Sequence, residues 1–150
     1  MRWQIVIFVV AGAAAGVGAQ DDLVKKELKK LEGTWKVVDS LGPDEKVNQI
    51  MKEKAKFTFS AGKMKVTISG QDSETKFQID PSKDPKHFDV IQEDEKKEKR
   101  VVLGIYALED NDSRLLIRSY NDLKMRPSDF TYKAGDMGGV VVLEREKKKK

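Results

Sequence analysis

Polar side chains within or beside apolar runs give this chain its clearest ligand-binding chemistry. The candidates are Tyr106, Arg118, Tyr120 and Arg126. Tyr106 interrupts an apolar run, and Arg118 and Tyr120 alternate along a strand, which places them on one face. An arginine suits a carboxylate or phosphate, because its guanidinium can donate two parallel hydrogen bonds. The alternative is structural: an arginine stacked on a tryptophan, or a tyrosine hydroxyl bonded across one end of a barrel, would close the fold.

Catalytic and metal-binding residues are few. The chain has one histidine, His87, and no cysteine, which excludes the usual zinc sites and a cysteine nucleophile. No serine lies in a Gly-x-Ser-x-Gly motif. Asp110-Asn111-Asp112 is typical of a turn rather than of a calcium loop. Asp89, between Phe88 and Val90, is expected on the outer face of a strand. We therefore expect no enzymatic activity, no metal and no cofactor.

Charge is high but balanced, with 29 Lys and Arg against 25 Asp and Glu. The basic excess comes largely from Lys147–Lys150, within a predicted basic tail at residues 146–150. This tail is expected to aid solubility, and it could contact an anionic surface. Nucleic-acid binding would need basic and aromatic residues on one face. The aromatic residues here lie mainly in apolar alternation, so the sequence predicts no nucleic-acid partner. The expected state is a monomer.

Residues 1–19 predict an export signal. Met1-Arg2 supplies a positive start, Trp3 to Ala15 is apolar, and Val17-Gly18-Ala19 fits a small-x-small cleavage site. A retained anchor is the alternative, but the apolar run is short for a span and Asp21-Asp22 follows at once. We expect a mature chain that starts at Gln20, is exported to the periplasm or secreted, and spans no membrane after cleavage.

A predicted amphipathic helix, residues 20–32, opens the mature chain. Its apolar positions fall on one stripe: Leu23, Val24, Leu28 and Leu31. Gly33 follows where a helix commonly ends, because glycine tolerates a positive φ. Trp35 then lies on the first strand. The Gly-x-Trp pattern at the start of a small all-β domain predicts that Gly33 and Trp35 form a structural plug at one end of a closed barrel.

Beyond this strand, apolar and polar residues alternate with the period of half-buried strands. About eight or nine short strands, at spacings of roughly 8–12 residues, favour an antiparallel up-and-down meander. Such a meander avoids exposed edges by closing into a barrel. The predicted fold is an all-β, lipocalin-like barrel of about eight strands over residues 33–145, with a β-sandwich as the alternative. Residues 43–54 predict a short lid-like helix, and Phe130–Lys133 predicts a strand.

Residues Leu31 to Glu144 resemble the uncharacterised lipocalin-like domain of exported planctomycete bacterial proteins. The resemblance is carried by Leu31-Glu32-Gly33-Thr34-Trp35-Lys36-Val37-Val38, Ile79-Asp80-Pro81, Pro85-Lys86, Asp89, Leu103-Gly104-Ile105-Tyr106-Ala107-Leu108, Arg126-Pro127-Ser128-Asp129-Phe130 and Val140 to Glu144. It implies a barrel and export, while the biochemical role of that family is unassigned. True lipocalins are similar in Gly33-Thr34-Trp35. Their later Thr-Asp-Tyr motif is absent, and Arg145 is a loose counterpart of their arginine near the last strand.

Two functions follow from this fold. The first is an exported barrel that binds a small, partly apolar or amphipathic molecule, since a barrel of about eight strands can just hold one. The second is a structural or protein-interaction module of the cell envelope without a ligand. In that case the outer strand faces or the basic tail would make the contacts. The interior volume and the side chains that line it distinguish the two.

Overall fold

The structure is a computed structural model that describes residues 21–120 and 124–147. The predicted signal, residues 1–19, and Lys148–Lys150 lie outside the described residues. Helix α1 covers residues 21–31. The elements that follow are β1 Gly33–Leu41, α2 Glu45–Lys54, β2 Ala55–Ser60, β3 Lys63–Ile68, β4 Gln71–Asp80, β5 Lys86–Glu93, β6 Lys99–Val102, β7 Gly104–Glu109, β8 Arg114–Ser119 and β9 Gly139–Arg145.

These strands form one antiparallel sheet that closes on itself. Neighbours follow the chain from β1 to β5, and β9 pairs back with β1. Strand β5 pairs with β6 through Val90–Glu93 and with β7 through Lys86 and His87. Because β6 and β7 share this partner, they act as one interrupted strand, and the barrel has eight. The predicted all-β meander, closed into an eight-stranded barrel with an N-terminal helix, is confirmed.

Gly104 stands at the interruption between β6 and β7. A Cβ atom here would lie 2.7 Å from the carbonyl oxygens of Phe88 and Arg118. Real Cβ atoms do not approach backbone oxygens so closely, so glycine is the residue that lets the interrupted strand stay in the sheet. A glycine inside a strand is typical of such a close backbone approach.

Trp35, Arg145 and α1 close one end of the barrel, here called the base. Trp35 is fully buried, and its indole N–H donates to the Leu31 carbonyl at 2.8 Å. The Arg145 guanidinium carbon lies 4.2 Å from the centroid of the Trp35 ring. The same guanidinium donates to the Glu32 carbonyl at 2.6 Å and to the Lys30 carbonyl. Carbonyls at a helix end lack partners within the helix, so Arg145 ties α1 to β9.

Gly33 makes room for this arginine. Its φ is +117°, and a Cβ atom at this position would lie 3.2 Å from an Arg145 guanidinium nitrogen. Glycine therefore ends α1 and also clears the path of the arginine to the tryptophan.

The buried side of α1 differs from the predicted stripe. Leu23 is 39% exposed, whereas Glu27 is 3% exposed and faces the barrel beside Val24, Leu28 and Leu31. The apolar pattern missed Glu27 because a carboxylate is rarely buried without partners.

The predicted strand at Phe130–Lys133 is wrong. Residues 124–138 form an irregular segment, here called the strap, that is held against the outer side of the barrel by ion pairs described below. Pro127 supplies no backbone donor, and Gly135 and Gly138 adopt positive φ angles of 94° and 88°. A proline and two glycines with positive φ angles interrupt the regular hydrogen bonding that a β-strand requires.

Helix α2 connects β1 to β2 across the other end of the barrel, here called the mouth. Asp44 caps the helix by accepting from the backbone N–H of Lys46 at 2.9 Å and of Val47 at 3.3 Å. The lid-like helix predicted for residues 43–54 is present, but its apolar positions are partly exposed: Val47 is 51% and Ile50 43% exposed.

We expect Trp35→Ala to lower the free energy of unfolding by about 3–5 kcal/mol, because the substitution removes a fully buried ring from the base. Chemical denaturation at neutral pH measures the change. Val38→Ala, at an exposed position of the same strand, is the matched control and should change stability by less than about 1 kcal/mol. A Trp35→Ala effect as small as that of the control would show that the tryptophan does not close the barrel.

Candidate functional site

A cavity of about 410 Å³ lies at the mouth, between α2 and the barrel interior. Its walls are mainly apolar, and its principal apolar side chains are Met51, Phe57, Met64, Phe88, Val90 and Ile117. Small-molecule sites commonly measure about 300–1,000 Å³ and are lined in this way. The cavity is therefore large enough for a small ligand.

Aromatic rings form the floor of this cavity. Phe77 and Phe88 stack with their centroids 5.0 Å apart, and Phe59 meets Phe77 edge-on at 5.4 Å. Tyr106 contacts Phe88 at 6.1 Å, and Phe57 contacts Phe59 at 6.2 Å. These ring contacts extend from the cavity wall at Phe57 and Phe88 to Tyr106, which faces the base.

Polar contacts attach α2 to the barrel. Asn48 is the buried residue of this helix. Its amide nitrogen donates to the Gly42 carbonyl at 3.0 Å, and the Ser40 hydroxyl donates to its Oδ1 at 3.4 Å. Met51 adds a partly buried apolar contact. The lid is thus held by hydrogen bonds as well as by packing.

The polar part of the cavity wall is small. Its uncharged polar side chains are Ser40, Asn48 and Ser119. Asp44 supplies a carboxylate, which already accepts the two N–H groups that begin α2. Of the described residues that line the cavity, none is a lysine, arginine or histidine.

Tyr106 lies inside the barrel but faces the base. Its hydroxyl donates to Glu27 at 2.7 Å, and Glu27 also accepts from Lys86 at 3.0 Å and Lys30 at 3.1 Å. Burial, reinforced by the bond to Glu27, raises the pKa of Tyr106 well above its ordinary range. Burial also favours a higher pKa for Glu27, but hydrogen bonds from Tyr106, Lys86 and Lys30 outweigh it and hold that pKa below the ordinary 4.5. This buried polar cluster joins α1 to β5 and β7.

Arg118 lies on the outer face of β8. Its neighbour Ile117 belongs to the core, and side chains alternate along a strand, so Arg118 faces away from the interior. Its guanidinium donates to the Asp129 carboxylate at 2.8 Å, to the Asp129 carbonyl at 2.7 Å and to the Asp136 carboxylate at 3.0 Å. The guanidinium carbon also lies 5.1 Å from the centroid of the Tyr120 ring. Arg118 therefore holds the strap.

Arg126 fixes another part of the strap. It donates to the two carboxylate oxygens of Asp89 at 2.5 and 3.2 Å, and to the Gly104 carbonyl at 2.7 Å. The structure thus brings Arg118 and Tyr120 together, but places Tyr106 and Arg126 elsewhere, and none of the four lines the cavity. Their ligand role stays a prediction, and the contacts they make are structural.

His87, at the start of β5, is half-buried, and burial followed by the charge of Arg126 lowers its pKa. Within residues 21–120 and 124–147, no group of three or more histidine, aspartate or glutamate side chains is placed to hold a metal ion. In the same ranges, no helix has the length and apolar character to cross a membrane.

Sequence reasoning missed the residues at the mouth. Phe57, Met64 and Val90 carried a signal, since each is an inward position of an alternating strand. Ser40 and Asn48 carried none, because serine and asparagine are common in loops and at exposed positions. Only the closure of the sheet shows that these residues share one cavity.

Comparison with protein-family models, curated proteins and solved structures finds no match. The closed eight-stranded antiparallel barrel is itself compatible with a lipocalin-like fold.

Glu27 is expected to link stability to pH. The pKa of Glu27 is lowered in the folded state, so ionised Glu27 stabilises the fold. This stabilisation is fully present above the ordinary pKa of 4.5 and is lost as the pH falls through the lowered value. Urea unfolding between roughly pH 5 and pH 3 should therefore show a steeper loss of stability in the wild type than in Glu27→Gln. At neutral pH, Glu27→Gln should cost about 1–3 kcal/mol, because a buried hydrogen-bond cluster loses its charged acceptor.

Glu95→Gln, in the exposed tip of the β5–β6 hairpin, is the control and should show the same dependence of stability on pH as the wild type. If Glu27→Gln also retains the full wild-type slope, the linkage assigned to Glu27 is wrong.

Proposed function

We propose that this protein is an exported, lipocalin-like binding protein that holds a small apolar or amphipathic molecule in the cavity at the mouth. The cavity itself carries the proposal. Protein interiors are normally filled to crystal-like density, and below the mouth the rings of Phe59, Phe77, Phe88 and Tyr106 contact one another. The mouth half instead keeps about 410 Å³ open behind apolar walls.

The placement of α2 supports the same function. The helix covers the cavity through Val47, Asn48 and Met51. Hydrogen bonds to Gly42 and from Ser40 anchor it, and such bonds can be exchanged for bonds to water at small net free energy. A cover attached in this way suits a site that must admit and release a ligand.

We propose that the protein binds this ligand without catalysing a reaction. In the described part of the cavity wall, the serines Ser40 and Ser119 have no histidine or lysine beside them that could act as a base. A ligand-free envelope module is the competing function, and it gains if the following experiment fails.

The uncharged fluorophore N-phenyl-1-naphthylamine should bind the purified protein with a rise and a blue shift of its emission. Val90→Phe should weaken this binding at least about tenfold, because the ring would occupy the cavity. Ile91→Phe, on the opposite face of the same strand, is the matched control and should bind as the wild type does.

Failure of the probe to bind the wild type, with native mass spectrometry of protein from its own host showing no bound molecule, would remove the binding function. Equal binding by Val90→Phe and the wild type would show that the mouth is not the site.

Export is part of the proposal. It is supported by the signal-like composition of residues 1–19 and by the resemblance to the exported planctomycete domain, membership of which we also propose. N-terminal sequencing of the protein recovered outside the cytoplasm should begin at Gln20. Ala19→Arg should block cleavage, because the site requires a small residue there. An intact Met1 on the recovered wild type would contradict cleavage.

A further inference from the structure

We infer that the ligand is uncharged: a molecule with an apolar body and one hydroxyl or amide group, rather than a fatty acid or another anion. This inference rests on the proposed function and adds the chemical class of the ligand. It follows from the charges around the cavity, from the partners of the nearby arginines and from the polar groups of the wall.

The described residues of the cavity wall offer no cation to an anionic ligand. Among the described residues of its wall, the charged side chain is that of Asp44, which is negative. An anion moved from water into this apolar space would lose its hydration without gaining an ion pair, which is strongly unfavourable. Asp44 would add repulsion at the rim.

The arginines near this end of the barrel are engaged elsewhere. The side chain of Arg118 is 4% exposed, lies on the outer face of β8, and is paired with Asp129 and Asp136. Arg126 is paired with Asp89 and also bonds the Gly104 carbonyl. Turning either guanidinium toward a ligand would break an ion pair with a partly buried carboxylate, that of Asp136 for Arg118 and that of Asp89 for Arg126.

Uncharged polar groups are placed to bond a neutral ligand. Ser40 and Asn48 are 6% and 5% exposed, yet the bond between Ser40 Oγ and Asn48 Oδ1 is long at 3.4 Å. Hydroxyl hydrogen bonds are typically about 2.7–2.8 Å. Both oxygens retain acceptor capacity, so the O–H or N–H of a ligand can donate to them. An apolar body would then lie against Phe57, Phe88 and Ile117.

The test is displacement of bound N-phenyl-1-naphthylamine by a matched series at neutral pH: 1-decanol, decanamide, decanoate and decylammonium. The first two are uncharged and the last two carry opposite charges on the same apolar chain. Decanol and decanamide should displace the probe at concentrations at least about tenfold lower than either charged compound, because burying an uncompensated charge is unfavourable.

A positive charge placed on the lid should improve the binding of decanoate. Met51→Lys puts a cation of similar length into the cavity wall, and decanoate should then displace the probe at least about tenfold better than it does from the wild type. Ile50→Lys, at an exposed position of the same helix, is the control and should leave the wild-type order unchanged.

Decanoate or decylammonium displacing the probe from the wild type as well as decanol would overturn the inference and leave the binding function standing. Retention of the probe against all four compounds would also overturn it. Failure of the probe itself to bind the wild type, under the conditions stated above, marks failure of the binding function.

Discussion

The stack of Arg145 on Trp35 is the interaction on which the rest of the structure depends. It joins the last strand to the first, and the same guanidinium bonds the carbonyls that end α1. The chain has no cysteine, so noncovalent contacts hold this closure. Once α1 is fixed across the base, Glu27 reaches Tyr106 and Lys86, and the base becomes a filled and bonded end.

That closure divides the interior into two unlike halves. From the base upwards, Phe59, Phe77, Phe88 and Tyr106 contact one another edge-on or stacked. Above them lies the cavity, covered by a helix whose buried side chain is Asn48. Elements with few buried apolar contacts open at low free energy, and binding regions are drawn from such elements. In this barrel, the element with few buried apolar contacts is the helix that covers the mouth.

Local sequence patterns predicted the barrel well because strand alternation, turn glycines and the Gly33-x-Trp35 start are local signals. The faces of Tyr106 and Arg118 depend on tertiary contacts. Both faces of β7 are apolar, and Ile105 is as buried as Tyr106. Ile105 pairs in register with Arg118 on the outer face, the face that carries the strap. The strand predicted for Phe130–Lys133 is wrong because that stretch belongs to the strap, which ion pairs rather than a strand ladder hold in place.

The same contacts explain why arginines were poor guides to the site. An arginine near an apolar strand has the chemistry to bind an anion, but a barrel of this size must also secure its loops and ends. Arg118 and Arg126 secure the strap, and Arg145 secures the base. A guanidinium already bonded to carboxylates or carbonyls gains little from a ligand, because the exchange leaves its former partners unpaired. With these three arginines committed to the fold, the described wall of the mouth consists of apolar side chains, of Ser40, Asn48 and Ser119, and of the Asp44 carboxylate, and the chemistry of the cavity follows from those groups.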